Sequence, residues 1–382
     1  MLAARLHSFG DLRMEDVPSP AVGPDEVRIG VAAVQSSVTE ALLAMGEPIT
    51  LHDHLAKRLA AGPVLFGGHE FAGVVTECGA EVDRWRPGDR VTAIETVPGP
   101  SGMPEYLGFT REGAFAEEVV VPAANVVAIP PGVSASAAAG VQPLAGALHG
   151  HAALHVQPGE ALVVIGCGVM GLLEIQVARH GNAGLIIAVG RSEAKRELAA
   201  RLGADVVLDA RSDDVAAEVA ELTAGLGADV VVEAAGGPPG AGLGGDSTLE
   251  LALRCVRRGG RVLLEAVYDN KAHFPLDLAR ERVVNVLHPN TGSGGYSASS
   301  SVFDHALRLI ARGDVDTEAL VTHRLQGLES IPEAVAMSAG KHQHNAINPP
   351  QVFTDLAWDT VNRDSVNSDI SSNPASSNEE PA

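Results

Sequence analysis

Val163-Val164-Ile165-Gly166-Cys167-Gly168-Val169-Met170-Gly171 joins a run of β-branched residues to a glycine-rich turn, and then to a helical pattern that continues to residue 180. Val and Ile favour the pleated, two-sided packing of a buried strand. The three glycines have separate tasks. Gly166 permits the tight turn, Gly168 lets a ligand approach the backbone, and Gly171 lets the helix lie close to the strand. The helix start then turns its free N–H groups, around Val169 and Met170, toward a phosphate. In a chain with 42 glycines such a run arises easily by chance. Its meaning comes from the strand before it and the helix after it. The stretch reads as a dinucleotide site that opens an α/β domain, with Cys167 as a packing residue.

Working outward, the pattern after residue 180 alternates strand and helix. Strands are expected at 185–189, 206–208, 230–233 and 261–266, with helices between them reaching about 202, 226 and 257. That alternation implies a doubly wound parallel sheet covered on both faces. Before residue 146 the texture differs: short strands at 26–34, 70–78, 89–95 and 115–121 are separated by Gly/Pro turns, which reads as a mostly-β lobe. Helices are expected at 302–312 and 329–339. From 355 to 382 the chain is rich in Asn, Ser and Asp, with too few large apolar residues to order itself by burial, and is expected to be a disordered acidic tail.

The end of the second strand bears on the choice of dinucleotide. A carboxylate there would accept from the free ribose hydroxyls of NAD(H). This chain has Gly190-Arg191-Ser192 instead, with Lys195 one turn on. Arg191 can bind a 2′-phosphate through charge-assisted hydrogen bonds, with Ser192 and Lys195 as further donors. NADP(H) is therefore expected over NAD(H).

Composition excludes other classes. The net charge of −21 argues against a nucleic-acid partner, because neutralising phosphates takes Lys and Arg. Cys78, Cys167 and Cys255 are odd in number and scattered, so no disulfide framework can be drawn. The N-terminus lacks a signal-peptide core. The longest apolar run, 161–178, is broken by three glycines and Glu174, so no membrane span is expected. The expected compartment is the cytoplasm, the expected partner a small-molecule substrate, and the expected assembly a homodimer or homotetramer.

Segments outside the cofactor motif resemble the medium-chain dehydrogenase/reductase family: Gly23-Pro-Asp-Glu-Val-Arg-Ile, Gly68-His69-Glu70-Phe-Ala-Gly-Val-Val, Pro87-Gly-Asp-Arg-Val, Gly113-Ala-Phe-Ala-Glu, Gln142-Pro-Leu-Ala and Val321-Thr-His-Arg-Leu. The chain is similar to the zinc-type alcohol and polyol branch, the butanediol, sorbitol and threonine dehydrogenases, over about 1–354. The resemblance implies a GroES-like catalytic domain at 1–145, a Rossmann domain at 146–287 and a return to the catalytic domain at 288–354.

The chain also departs from that branch. The resemblance implies a catalytic zinc held by a cysteine, the histidine of Gly-His-Glu, and a glutamate or cysteine further on. Here Ser37 stands at the cysteine position and Gln142 at the glutamate position, leaving only His69 and Glu70. Neutral Ser and Gln are poor zinc ligands, so zinc is not expected. The cysteines of the family's structural zinc loop are absent between residues 95 and 113. His149, His151 and His155 read as helix histidines rather than a replacement site, and His52 and His54 as surface residues.

Hydride transfer is then expected to rely on hydrogen-bond donors. Thr39 matches the relay hydroxyl of the family, while the relay histidine position is Leu42. Ser37, Gln142 and His69 are expected to converge on the vacated metal position. His69, titrating near neutrality, is the expected general acid/base. The leading expectation is interconversion of a polyol- or cyclitol-type secondary alcohol and its ketone. Reduction of a conjugated C=C or C=N bond is the alternative enzyme reading. A nucleotide-binding redox sensor without catalysis is the alternative from another class.

Overall fold

The computed structural model describes residues 1–99, 102–211, 213–237, 244–245, 247–268, 272–288, 301–341, 343–344 and 349–358. The first lobe contains β1 (Leu2–Ser8), β2 (Asp11–Asp16), β3 (Glu26–Gln35), α1 (Val38–Ala44), α2 (His52–Ala61), β4 (Val64–Leu65), β5 (Glu70–Cys78) and β6 (Arg90–Ala93). It continues with β7 (Thr96–Pro98), β8 (Pro104–Tyr106), β9 (Glu118–Pro122), β10 (Val126–Ala128), α3 (Ala135–Ala139) and α4 (Val141–Leu154). The second lobe alternates β11 (Ala161–Ile165), α5 (Val169–His180), β12 (Leu185–Gly190), α6 (Glu193–Arg201), β13 (Val206–Asp209) and α7 (Val215–Leu222). After these come β14 (Ala228–Glu233), α8 (Ser247–Cys255), β15 (Val256–Leu264), α9 (Leu276–Arg282) and β16 (Asn285–Leu287). The chain then returns through α10 (Val302–Arg312), β17 (Arg324–Gln326), α11 (Ile331–Ala339) and β18 (Gln351–Phe353).

Among the described residues the second lobe is a six-stranded sheet in the order β13-β12-β11-β14-β15-β16, with every neighbour pair parallel. The strand order reverses beside β11, so the C-terminal ends of β11 and β14 flank the crevice where such sheets bind ligands. The central strands are buried on both faces. Leu162 and Val164 look into one core, and Val163 and Ile165 into the other, each side covered by helices. This is the doubly wound parallel sheet that the alternating pattern predicts.

The first lobe is built around the sheet β10-β6-β5-β3-β18-β17, with β9 also paired to β3. Strand β18 is the return of the chain. It pairs antiparallel with β3, placing Gln351 opposite Gln35, so the first lobe is completed only by residues more than 300 positions away. Helix α11 packs on α1, and the Ser338 hydroxyl donates to the Ser36 carbonyl at 2.9 Å.

Three expectations need correction. The boundary near 145 falls inside α4, one continuous helix that packs on both α5 and α10. The lobe before it also carries α1 and α2, where Gly/Pro turns concealed the helical spacing. The tail does not begin at 355: Leu356 and Trp358 pack against the core, and the Arg90 guanidinium lies 5.3 Å from the centre of the Trp358 ring. The remainder of the expected disordered segment, 359–382, lies outside the described residues. Among the described residues no helix is long and apolar enough to cross a membrane.

Candidate active site

A cleft of about 2070 Å³ runs between the lobes, larger than a pocket for a single small molecule. At one end it is lined by the Gly166–Gly171 turn. Gly166 has φ +111°, which favours glycine, and a Cβ at Gly171 would come within 1.8 Å of the Gly166 carbonyl oxygen. A Cβ at Gly168 would meet nothing within 4 Å, so this face of the turn is open to a ligand. Val169 and Met170 begin α5 behind it and also line the cleft. Cys167 is buried, and burial pushes its thiol pKa up to about 11, which fits packing and not redox chemistry.

Next along the cleft come Gly190, Arg191, Ser192 and Lys195. Gly190 ends β12, and a Cβ there would sit 2.8 Å from Cys167 Sγ. Arg191 and Ser192 are exposed and Lys195 is half-buried; burial, with the Arg191 charge, lowers the Lys195 pKa. Arg196 does not face a ligand in the same way, because it donates to the Gly190 carbonyl at 3.0 Å and pairs with Asp209 at 3.0 Å. Sequence reading missed two further cations on the cleft wall, Arg211 and Arg254. Arg211 follows β13, whose pairing with β12 sets Asp209 beside Gly190, and like Arg196 it is engaged by Asp209, at 3.1 Å. Together these side chains give this end of the cleft a cationic wall suited to the phosphates of a nicotinamide dinucleotide.

Ser37, Thr39, His69, Glu70 and Gln142 line the other end together with Gln35, Leu42 and Glu95. Ser37 and Glu40 form a capping box at the start of α1: the Glu40 N–H donates to Ser37 Oγ and the Ser37 N–H to Glu40 Oε2, each at 3.0 Å. The Glu40 carboxylate, 0% exposed, also accepts from the N–H groups of Gly68 and His69 and faces His69 Nδ1 at 2.7 Å. Sequence reading missed this role, although Ser-x-x-Glu ahead of an apolar run is its signature. Burial pushes the Glu40 pKa up, but the His69 charge and these hydrogen bonds outweigh it and leave the pKa below the usual carboxylate value.

His69 stands between two carboxyl groups, with Nε2 3.6 Å from Glu70 Oε1 and the Phe109 ring 4.9 Å from its own. Burial works against its cation, but Glu40, then Glu70 and Glu95, raise its pKa to about 9. The expectation of a histidine titrating near neutrality is therefore corrected: the buried carboxylate keeps it an imidazolium. Burial raises the Glu70 pKa to about 7, against the pull of His69. Gln35 Nε2 donates to Glu70 Oε2, and Gln142 Nε2 donates to Glu95 Oε1 at 3.2 Å. Lys341, just beyond α11, also lines the cleft, and burial with the nearby Lys195 charge lowers its pKa to about 7.

The donors at this end do not suit zinc. Ser37 Oγ is engaged in capping α1, Gln142 offers a neutral amide, and the thiolates of a zinc site are missing. Among the described residues, no group of three or more His, Cys, Asp or Glu side chains is placed to hold a metal. Of the other histidines, His151 Nδ1 pairs with the buried Glu174 at 2.6 Å. His52 stacks on Phe9, and Thr50 and Leu51, just before it in the chain, line the cleft.

Comparison with known proteins agrees with this architecture. The family described as alcohol dehydrogenase GroES-like domain matches residues 23–131, and that described as zinc-binding dehydrogenase matches residues 169–312. The chain is 30% identical over 338 residues to (R,R)-butanediol dehydrogenase of Bacillus subtilis, covering 85% of this chain and 92% of that protein. It is 27% identical over 352 residues to sorbitol dehydrogenase of the same organism, covering 88% and 92%. A solved structure from Sinorhizobium meliloti 1021, described as a zinc-binding dehydrogenase bound to NADP, superposes with a TM-score of 0.75 at 27% identity, covering 92% of this chain and 98% of that one. The chain belongs to the medium-chain dehydrogenase/reductase superfamily, in its zinc-type alcohol dehydrogenase-like branch.

Proposed function

We propose that this oxidoreductase is NADP(H)-dependent and zinc-independent, and interconverts a secondary alcohol and a ketone of polyol or cyclitol type. The observation that carries the reading is the placement of His69. Glu40 holds its Nδ1 at 2.7 Å, and the ring lines the same cleft as the Gly166–Gly171 turn. The cofactor, when bound, supplies or takes the hydride. In the reducing direction the His69 Nε2–H donates a hydrogen bond to the substrate carbonyl oxygen. As hydride reaches the carbonyl carbon, that oxygen becomes an alkoxide and takes the Nε2 proton, leaving the alcohol and a neutral imidazole. A buried, preoriented cation supplies here the electrostatic stabilisation that a metal would otherwise provide. Glu40 stabilises the charged ring and fixes its orientation, and Phe109 walls it from solvent.

The test is metal analysis of the purified protein beside ketone reduction with NADPH before and after a strong chelator. Substoichiometric zinc and unchanged turnover are expected, with turnover lost in His69→Ala. Stoichiometric zinc, with activity lost on its removal, would overturn the zinc-independent reading.

A further inference from the structure

Three neighbouring strands carry a row of buried polar side chains that ends at the reaction site. The pairing of β18 with β3 sets Gln351 opposite Gln35, and the pairing of β3 with β5 sets Gln35 opposite Glu70. Strand β3 is otherwise mostly apolar, yet Gln35 and Gln351 are both 0% exposed. Gln351 Nε2 donates to Gln35 Oε1 at 3.0 Å, and Gln35 Nε2 donates to Glu70 Oε2. Ser136 of α3 closes the far end: its hydroxyl donates to Gln351 Oε1 at 2.7 Å and its carbonyl accepts from Gln351 Nε2 at 3.0 Å.

The direction of this row is set by chemistry. A backbone carbonyl can only accept, so the Ser136 carbonyl forces the Gln351 amide to present its NH₂. That NH₂ also faces Gln35, which must present its oxygen there and its own NH₂ to Glu70. Glu70 Oε2 is thereby committed as an acceptor, and the carboxyl plane is pinned. Oε1 is left facing His69 Nε2 at 3.6 Å, longer than a hydrogen bond. The site thus offers a donor and an acceptor side by side, at a spacing that oxygens on neighbouring carbons can bridge.

Resting on the alcohol–ketone reading above, we propose that Glu70 Oε1 accepts a hydrogen bond from a substrate hydroxyl adjacent to the reacting carbon, and that Gln35, Gln351 and Ser136 are positioning residues that aim it. The substrate so held is the polyol- or cyclitol-type diol or hydroxyketone of the reading above, with Glu70 as the residue that reads its second oxygen. Burying polar groups in a strand row costs stability unless every partner is present, and here each donor and acceptor is oriented toward Glu70, whose carboxyl lines the cleft.

The test compares kcat/KM for 2-hydroxycyclohexanone and cyclohexanone, with NADPH, in the wild type, Gln351→Leu, Ser136→Ala and Glu70→Gln. Gln351 and Ser136 do not line the cleft. The wild type is expected to favour the hydroxyketone by about tenfold or more, the worth of one hydrogen bond to a charged group. Gln351→Leu is expected to bring the pair near parity by raising KM for the hydroxyketone. Ser136→Ala should move it the same way by less, and it carries the test should Gln351→Leu fail to fold. A wild type without preference, or a variant row that keeps the full preference, overturns the inference. Turnover of neither ketone would instead be a failure of the functional reading. The inference is then decided by crystal structures, in which Glu70 should leave Gln35 in Gln351→Leu; an unmoved Glu70 overturns it.

Discussion

Glu40 accepts from three backbone N–H groups and one imidazole while excluded from solvent. Replacing it with Gln keeps the shape but leaves the buried His69 charge without its partner, a loss of about 3–5 kcal/mol for a broken buried pair. Urea unfolding of Glu40→Gln should show that drop in midpoint, and a change under about 0.5 kcal/mol would mean that the pair is not what holds His69. Arg191 invites a second residue-scale measurement. A charge-assisted contact with a 2′-phosphate contributes about 1.5–3 kcal/mol, so Arg191→Ala should weaken NADPH binding by roughly ten- to a hundredfold and leave NADH binding nearly unchanged. Equal wild-type affinities for the two cofactors would refute that assignment. To reverse the preference, Arg191→Asp is the suitable change. Gly190→Asp would drive its Cβ to within 2.8 Å of Cys167 Sγ, a clash invisible in the sequence.

At the scale of elements, short segments matter through what they complete. Helix α1 is only seven residues long, too short to be stable by itself, and is held by its capping box and by α11. The segment after β18 acts similarly. Thr354 Oγ donates to the Val31 carbonyl at 2.6 Å, Leu356 covers Gly30, and Trp358 lies against Arg90. A chain ending at Thr354 should therefore be less stable than one ending at Trp358, by about 1–3 kcal/mol for the apolar surface uncovered. Differential scanning calorimetry of the two truncations decides this, and coincident transitions would show that 355–358 contributes nothing. The long periodic elements were legible in the sequence: α5 and α10 match their expected spans. Helices α1 and α2 were not, because seven to ten residues between turns carry too little periodicity.

Over the whole molecule, the −21 net charge accompanies buried carboxyls whose pKa values are raised, and this gives stability a definite pH slope. Glu265, just past β15, is raised from 4.5 to about 8, first by burial and then by Glu174; among the described residues its Oε2 has no hydrogen-bond partner. A carboxyl with a folded pKa above its unfolded one contributes stability that is full below about 4.5 and is lost as pH rises through about 8. Glu265→Gln removes that loss. Its melting temperature relative to the wild type should climb between about pH 5 and pH 8 and level off above that, measured by thermal denaturation at fixed ionic strength. A difference constant with pH would show that Glu265 does not titrate in this window.

The sequence by itself determined the doubly wound sheet, the position of the dinucleotide turn and the presence of Ser37 and Gln142 where the resemblance implies zinc ligands. These are written in local patterns: strand–turn–helix periodicity, glycine spacing and the identity of residues at matched positions. Only the tertiary structure decided how the remaining side chains act. Glu40 meets His69 across 29 positions, Gln351 meets Gln35 across 316, and Arg211 lines the same cleft as Arg191 from the end of a neighbouring strand. The physical reason is that a side chain's charge state and aim depend on the partners and burial it finds at close range. Chain folding brings those partners together from segments whose own patterns record packing, not chemistry.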